Sequence, residues 1–247
     1  MQEPRARRGF LAAGGDELVV AGLVLASAAA TQGRASHRGE IPLNITVAVA
    51  AVAAARAGGA SWAELGLEPS AIAGGLRAGA ATLPAVWGLL GLAAALPATR
   101  PFLGDERVRA WDGRELAYHL AVRVPLATAV AEELLFRSAL LGVELRRRSR
   151  ARALVSTAVA FGLWHVLPAL RSHDRNPSTA RTADRAGGRI ATVAATVTAT
   201  AAAAAGFTWL RLRSHSVVAP VVAHAGINIA ALVAARLVTR RRASRSG

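Results

Sequence analysis

Apolar residues run through this chain in seven long blocks, at 18–31, 41–57, 71–96, 116–145, 153–170, 190–210 and 217–238. A helix that crosses a bilayer needs about 20 mostly apolar residues. The blocks therefore predict an all-α fold, a polytopic transmembrane helical bundle of about six to eight spans. The first two are short and rich in alanine. The 116–145 block is too long for one untilted span, and Pro125 predicts a kink or a break within it. Between the second and third blocks, Ser61-Trp62-Ala63-Glu64 has the form of a helix-capping start, with Gly66 and Pro69 as stops, which predicts a short interfacial helix. The hydrophilic stretch 171–189 reads as a loop. Arg5, Arg7 and Arg8 precede the first block, but Gly14-Gly15-Asp16-Glu17 interrupts any signal-peptide pattern, so that block reads as a retained transmembrane helix.

Polar side chains break these blocks at only a few places. Glu132 and Glu133 are adjacent in the fourth block, and Arg137 follows within a turn. An ionisable side chain at the bilayer centre costs about 2.5–3.5 kcal/mol on insertion scales, so three in six residues must be paired or used. On a helix Glu133 and Arg137 are i,i+4 neighbours and can pair, whereas Glu132 points about 100° away and is left free to work. His165 lies four residues after Phe161, and His224 and Asn228 share a face among the small residues Ala223, Ala225, Gly226 and Ala230. Glu132, Glu133, Arg137, His165, His224 and Asn228 together predict one buried polar site. The chain then divides into N-terminal transmembrane helices (1–114), a core that carries the site (115–238) and a basic tail (239–247).

Composition narrows the chemistry. Of 247 residues, 53% are hydrophobic and 4% aromatic, and the mean hydropathy is +0.35. Cysteine is absent, which excludes disulfides, a thiol nucleophile and a thiolate metal site. The net charge of +15 sits on arginines at the ends of apolar blocks, as positive-inside loops and snorkelling require, and not on a basic face with interleaved aromatics. Contacts with anionic lipids are expected there, and nucleic acid is not an expected partner. Arg146, Arg147, Arg148, Arg150 and Arg152 form the densest basic loop and predict a cytoplasmic side, as do both termini. Seven spans would separate the termini, so parity stays open. His37, His119, His173 and His215 read as solvated loop or helix-end residues. Trp62, Trp87, Trp111 and Trp209 read as interfacial anchors, and Trp164 as a neighbour of His165 that can line a cavity.

Glu132-Glu133-x-x-x-Arg137, Phe161-x-x-x-His165 and His224-x-x-x-Asn228 resemble, in order and residue type, the motifs of the CPBP family, which includes type II CAAX prenyl endopeptidases and bacteriocin-processing or self-immunity proteins. The resemblance covers about 115–238. It implies an intramembrane endopeptidase in which Glu132 is the general base, His165 helps hold the water, and His224 and Asn228 donate to the oxyanion. Arg137 would orient Glu133. A metal route is open too: Glu132, His165 and His224 would form a His₂Glu set of the kind that binds zinc; the sequence does not decide between that and a metal-free glutamate mechanism, and the reading taken is a site with no tightly bound metal. The alternative is a non-enzymatic membrane immunity or scaffold protein of the same fold. A transporter ranks third, since no repeat pair with broken helices is visible. The expected substrate is a membrane-associated peptide or protein, and the expected location is a bacterial plasma membrane.

Overall fold

A computed structural model describes residues 15–32, 39–184 and 187–243. His37 lies outside them. Among the described residues the fold is all-α with no strands, as the apolar blocks predict. The helices are α1 (Asp16–Gln32), α2 (Glu40–Ala57), α3 (Ile72–Ala80), α4 (Leu83–Ala95), the short α5 (Arg100–Leu103) and α6 (Glu106–Ala110), α7 (113–147), α8 (Arg150–Trp164), α9 (Val166–Arg175), α10 (Pro177–Asp184), α11 (Gly188–Ser214) and α12 (Val218–Ala243). Among the described residues four stretches, Pro69–Ala95, Arg150–Arg175, Gly188–Ser214 and Val218–Arg240, are long and apolar enough to cross a membrane, with Glu17–Ala26 and Ile41–Ala57 as shorter apolar helices. Leu25, Leu89, Val155, Leu163, Ile190 and Trp209 are exposed on these helices. In water they would be a liability; in a bilayer they are the lipid-facing surface.

The long helix α7 is the axis of the bundle. Its C-terminal half packs on α1, α2, α8 and α11, and its N-terminal half packs on α2 and α12. The main core gathers Val20, Ala51, Leu65, Phe136, Val143 and Phe161 around it. Pro125 neither breaks nor ends this helix. From His119 to Val130, and again from Leu134 to Leu140, α7 has the wide turn of a π-helix. Proline has no N–H to give and its ring collides with the carbonyl four residues back, so widening the turn lets the helix continue.

Two further expectations are corrected. The hydrophilic 171–184 stretch is helical rather than a loop, because its polar groups are used against the chain that precedes α7. Asn176, almost wholly buried, donates from Nδ2 to the Gly104 carbonyl at 3.0 Å and accepts from Ser178 N at 3.2 Å. Ser61 and Glu64 do form the reciprocal capping box, at 2.6 and 3.1 Å, and these bonds hold the Glu64 carboxyl below its ordinary value. No interfacial helix grows from it: Gly66 turns left-handed at φ +69°, and its carbonyl accepts from Val217 N at 2.9 Å. The buried guanidinium of Arg211 on α11 reaches across this turn and donates to the Glu64 carbonyl at 2.9 Å.

A Cβ at Gly66 would collide with the Arg211 guanidinium. Gly66→Ala should therefore cost at least the roughly 1–3 kcal/mol of a left-handed non-glycine residue. A thermal melt of the detergent-solubilised protein checks this. A melting temperature equal to wild type would show that the turn does not tie the loop to α11.

Candidate active site

Three helices carry the polar site and a fourth supplies packing. Glu133, on α7, is fully buried. Its Oε1 accepts from Arg137 Nη1 at 3.1 Å, the i,i+4 pair expected from the sequence. The same oxygen lies 2.8 Å from Nδ1 of His224 on α12. An ionised carboxylate only accepts, so His224 donates from Nδ1. Glu133 thus ties two helices together at one atom.

Aromatic rings complete the setting. The Arg137 guanidinium carbon sits 4.1 Å from the centre of the Phe161 ring and 5.2 Å from that of Phe207, a cation–π arrangement in a dry site. Phe207 also stacks on His224, with centroids 5.0 Å apart and planes 20° from parallel. Phe136 meets Phe161 edge to face at 5.0 Å and Trp164 at 5.5 Å. Trp164 therefore packs against the core cluster.

His165 stands where α8 ends and α9 begins. Its Nδ1 lies 2.8 Å from the Phe161 carbonyl, which can only accept, so Nδ1 carries the hydrogen and Nε2 is left to face the site. Both site histidines thus donate from Nδ1 to a fixed acceptor.

Glu132 is different. It is half-buried and makes no side-chain hydrogen bond or ion pair among the described residues; its Oε2, like that of Glu133, is enclosed without a partner, and His224, His165, Glu133 and Arg137 all lie within electrostatic reach of it. The structure therefore brings Glu132, Glu133, Arg137, His165 and His224 into one cluster. Asn228 lies one helical turn beyond His224 and lines a polar cavity of about 660 Å³ beside the cluster. Among the described residues no group of three or more His, Asp or Glu side chains is placed to hold a metal ion. Glu132, His165 and His224 are thus not gathered into a metal-binding set.

Two features escape a reading of the sequence. Phe207 is a lone phenylalanine in an alanine- and threonine-rich helix, and that isolation was its only signal. His119 is 2% exposed rather than solvated. It stacks on Trp111 at 3.8 Å with planes 6° apart. His173 bonds Thr192 Oγ1 at 3.1 Å and is part-buried.

Fold and cluster together define an all-α membrane protein with a buried glutamate–arginine–histidine centre. Residues 115–230 match a family model, described as type II CAAX prenyl endopeptidase Rce1-like. This match supports a CPBP family intramembrane protease and, at the level of the family, the activity of an intramembrane CAAX-type endopeptidase. The comparison with curated proteins and with solved structures returned no match.

Proposed function

We propose that this protein hydrolyses a peptide bond of a membrane-associated protein or peptide with a water activated by Glu132. The observation that carries this reading is the division of labour between the two carboxylates. Glu133 is held at Oε1 by Arg137 and His224, whereas Glu132 makes no side-chain hydrogen bond or ion pair among the described residues; one oxygen of each carboxylate is enclosed without a partner. Amide hydrolysis needs a base for water, stabilisation of the oxyanion and a proton for the leaving amine. Glu132 takes the proton as the water oxygen attacks the carbonyl carbon, and later returns it to the leaving nitrogen. His165 holds the water through Nε2. His224, when protonated at Nε2, and Asn228 donate to the oxyanion. Arg137 and Glu133 are positioning residues that set the ring of His224. On this reading 115–238 is the catalytic core, 1–114 supplies further membrane helices, and the basic tail 239–247 meets anionic lipid.

A bacterial plasma membrane is the proposed location and a membrane-anchored precursor peptide, such as a bacteriocin precursor, the proposed substrate. The test compares N-termini in membranes of cells that carry wild type or Glu132→Gln. New N-termini that depend on Glu132 support the peptidase, and identical profiles favour a non-enzymatic immunity or scaffold role.

Orientation is testable in the same cells. Ser149 caps α8 through its hydroxyl, so the exposed Ala151 is the better position for a single cysteine in this cysteine-free chain. Ala151→Cys should resist an impermeant thiol reagent in intact cells and react after permeabilisation. Labelling from outside would reverse the assigned sidedness of the 146–152 loop.

A further inference from the structure

The wide turn of α7 ends just before Glu132, and its end disturbs the backbone ladder. From His119 to Val130 the helix takes five-residue steps, and four-residue steps resume at Ala131. At this junction the backbone N–H groups return to the carbonyls of Leu126 and Thr128. Leu126 lies five residues behind Ala131, and Thr128 lies four behind Glu132. The change of step therefore passes over the carbonyl of Ala127 between them. A buried carbonyl without a partner carries a desolvation cost, so this one requires a donor from outside its own helix.

That donor is Asn44. Its Nδ2 reaches across from α2 and donates to the Ala127 carbonyl at 2.9 Å. From Ile41 to Ala55, α2 is apolar except for Asn44 and Thr46. An amide on such a helix is costly unless it is used, and the Oδ1 of Asn44 is enclosed without a partner. Asn44 is thus placed for what its Nδ2 donates. The same helix α2 packs on the 119–130 stretch and on Ala131–Glu133, the two sides of the junction. If the wide turn relaxed to an ordinary helix, one residue would drop out of it. The two sides would then rotate against each other by about 100°. Beyond the junction Glu133 is fixed to Arg137 and His224, so the slip would fall on 127–132. Glu132 lies at the end of that segment.

We infer that Asn44 is a positioning residue for Glu132: by holding the Ala127 carbonyl it locks the wide turn in the register that presents Glu132 to the site. The inference rests on the peptidase reading above. It extends the working parts of the molecule to α2, outside the 115–230 segment that the family model matches.

The test uses the full chain in nanodiscs and has two readouts. The first is cleavage of one peptide by wild type, Asn44→Leu and Asn44→Ser. Leucine is close to asparagine in size and donates nothing, whereas serine keeps a donor on a shorter arm. Asn44→Leu should lower kcat by about 10²-fold, the loss that a misplacement of about 1 Å produces, with KM nearly unchanged. Asn44→Ser should recover part of that loss. Should the leucine variant not fold, Asn44→Ala makes the same comparison. The second readout needs no activity. The chain has no cysteine, so Glu132→Cys carries a single thiol, and its rate of reaction with a small permeant maleimide reports where position 132 points. Ala121→Cys reports the same on the other side of the junction. Adding Asn44→Leu should change the rate at 132 severalfold and leave the rate at 121 as it was. Wild-type kcat in Asn44→Leu, or an unchanged rate at 132, overturns the inference. So does an equal change at both positions, or a kcat that follows the melting temperature across the variants, since either makes Asn44 a packing residue. A rate that changes at 132 alone, in a protein that cleaves no peptide, keeps the register role of Asn44 and removes the peptidase.

Discussion

Glu132→Gln is expected to lower peptide cleavage by about 10²–10⁴-fold, the range a positioned general base contributes, while leaving the protein folded and inserted. Glutamine keeps the size of the side chain and removes its basicity. The structure gives a reason why the neighbouring carboxylate cannot substitute. The Oε1 of Glu133 is shared by Arg137 and His224, and the residue is fully buried. A base with both of these partners is held against proton transfer to water. Initial rates of a purified preparation on one cleaved peptide, with the melting temperature as the control for folding, make the comparison. Turnover near wild type in Glu132→Gln would remove Glu132 from the role of base. His165→Ala and His224→Ala should also abolish cleavage, with a difference between them. His224 is bonded to Glu133, so its loss should lower stability as well, whereas the His165 ring, among the described residues, bonds the Phe161 carbonyl of the adjoining helix α8.

Much of this arrangement is legible in the sequence because a bilayer makes polar residues conspicuous. Each apolar block is helical, the 71–96 and 153–170 blocks as two successive helices each, since a chain in hydrocarbon must satisfy its own backbone. Glu132, Glu133, Arg137, His165 and His224 stand out for the same reason, and the i,i+4 spacing alone predicts the Glu133–Arg137 pair. What stays hidden depends on partners far along the chain. Asn176 lies in a stretch hydrophilic enough to read as a loop, and only the Gly104 carbonyl, 72 residues away, makes its burial intelligible. His119 has the flanks of a helix-end residue, and nothing local announces the Trp111 ring on which it lies. Phe207 looks like lipid-facing bulk until α7 and α12 are placed beside it. Local rules also fail at Pro125, where they offer a kink, a break or an end to the helix. The wide turn is the alternative that the packing of α7 against α2 and α12 selects, and it brings His119, Arg123 and Thr128 to one cavity.

Arg137→Gln should be the most destabilising single change at the site, by about 3–5 kcal/mol, because it leaves a buried carboxylate without its cation. Both side chains of the pair are 1% exposed or less, so water cannot take the place of the guanidinium. Its stacking on Phe161 is lost as well, worth about 2 kcal/mol within that total when desolvated. His224 remains bonded to Glu133, but the carboxylate that sets its ring is no longer fixed by Arg137. Activity should therefore fall with stability. The double variant Glu133→Gln/Arg137→Gln removes both charges and keeps the volumes nearly constant. The amide introduced at position 133 still offers a carbonyl oxygen to accept from His224. This variant should recover a large part of the lost stability, since replacing a buried ion pair with neutral groups is often nearly neutral. Chemical denaturation in mixed micelles, with wild type and both single variants alongside, completes the cycle. A double variant less stable than Arg137→Gln alone would mean that Glu133 and Arg137 do not act as a pair, and that Arg137 is held by its aromatic neighbours.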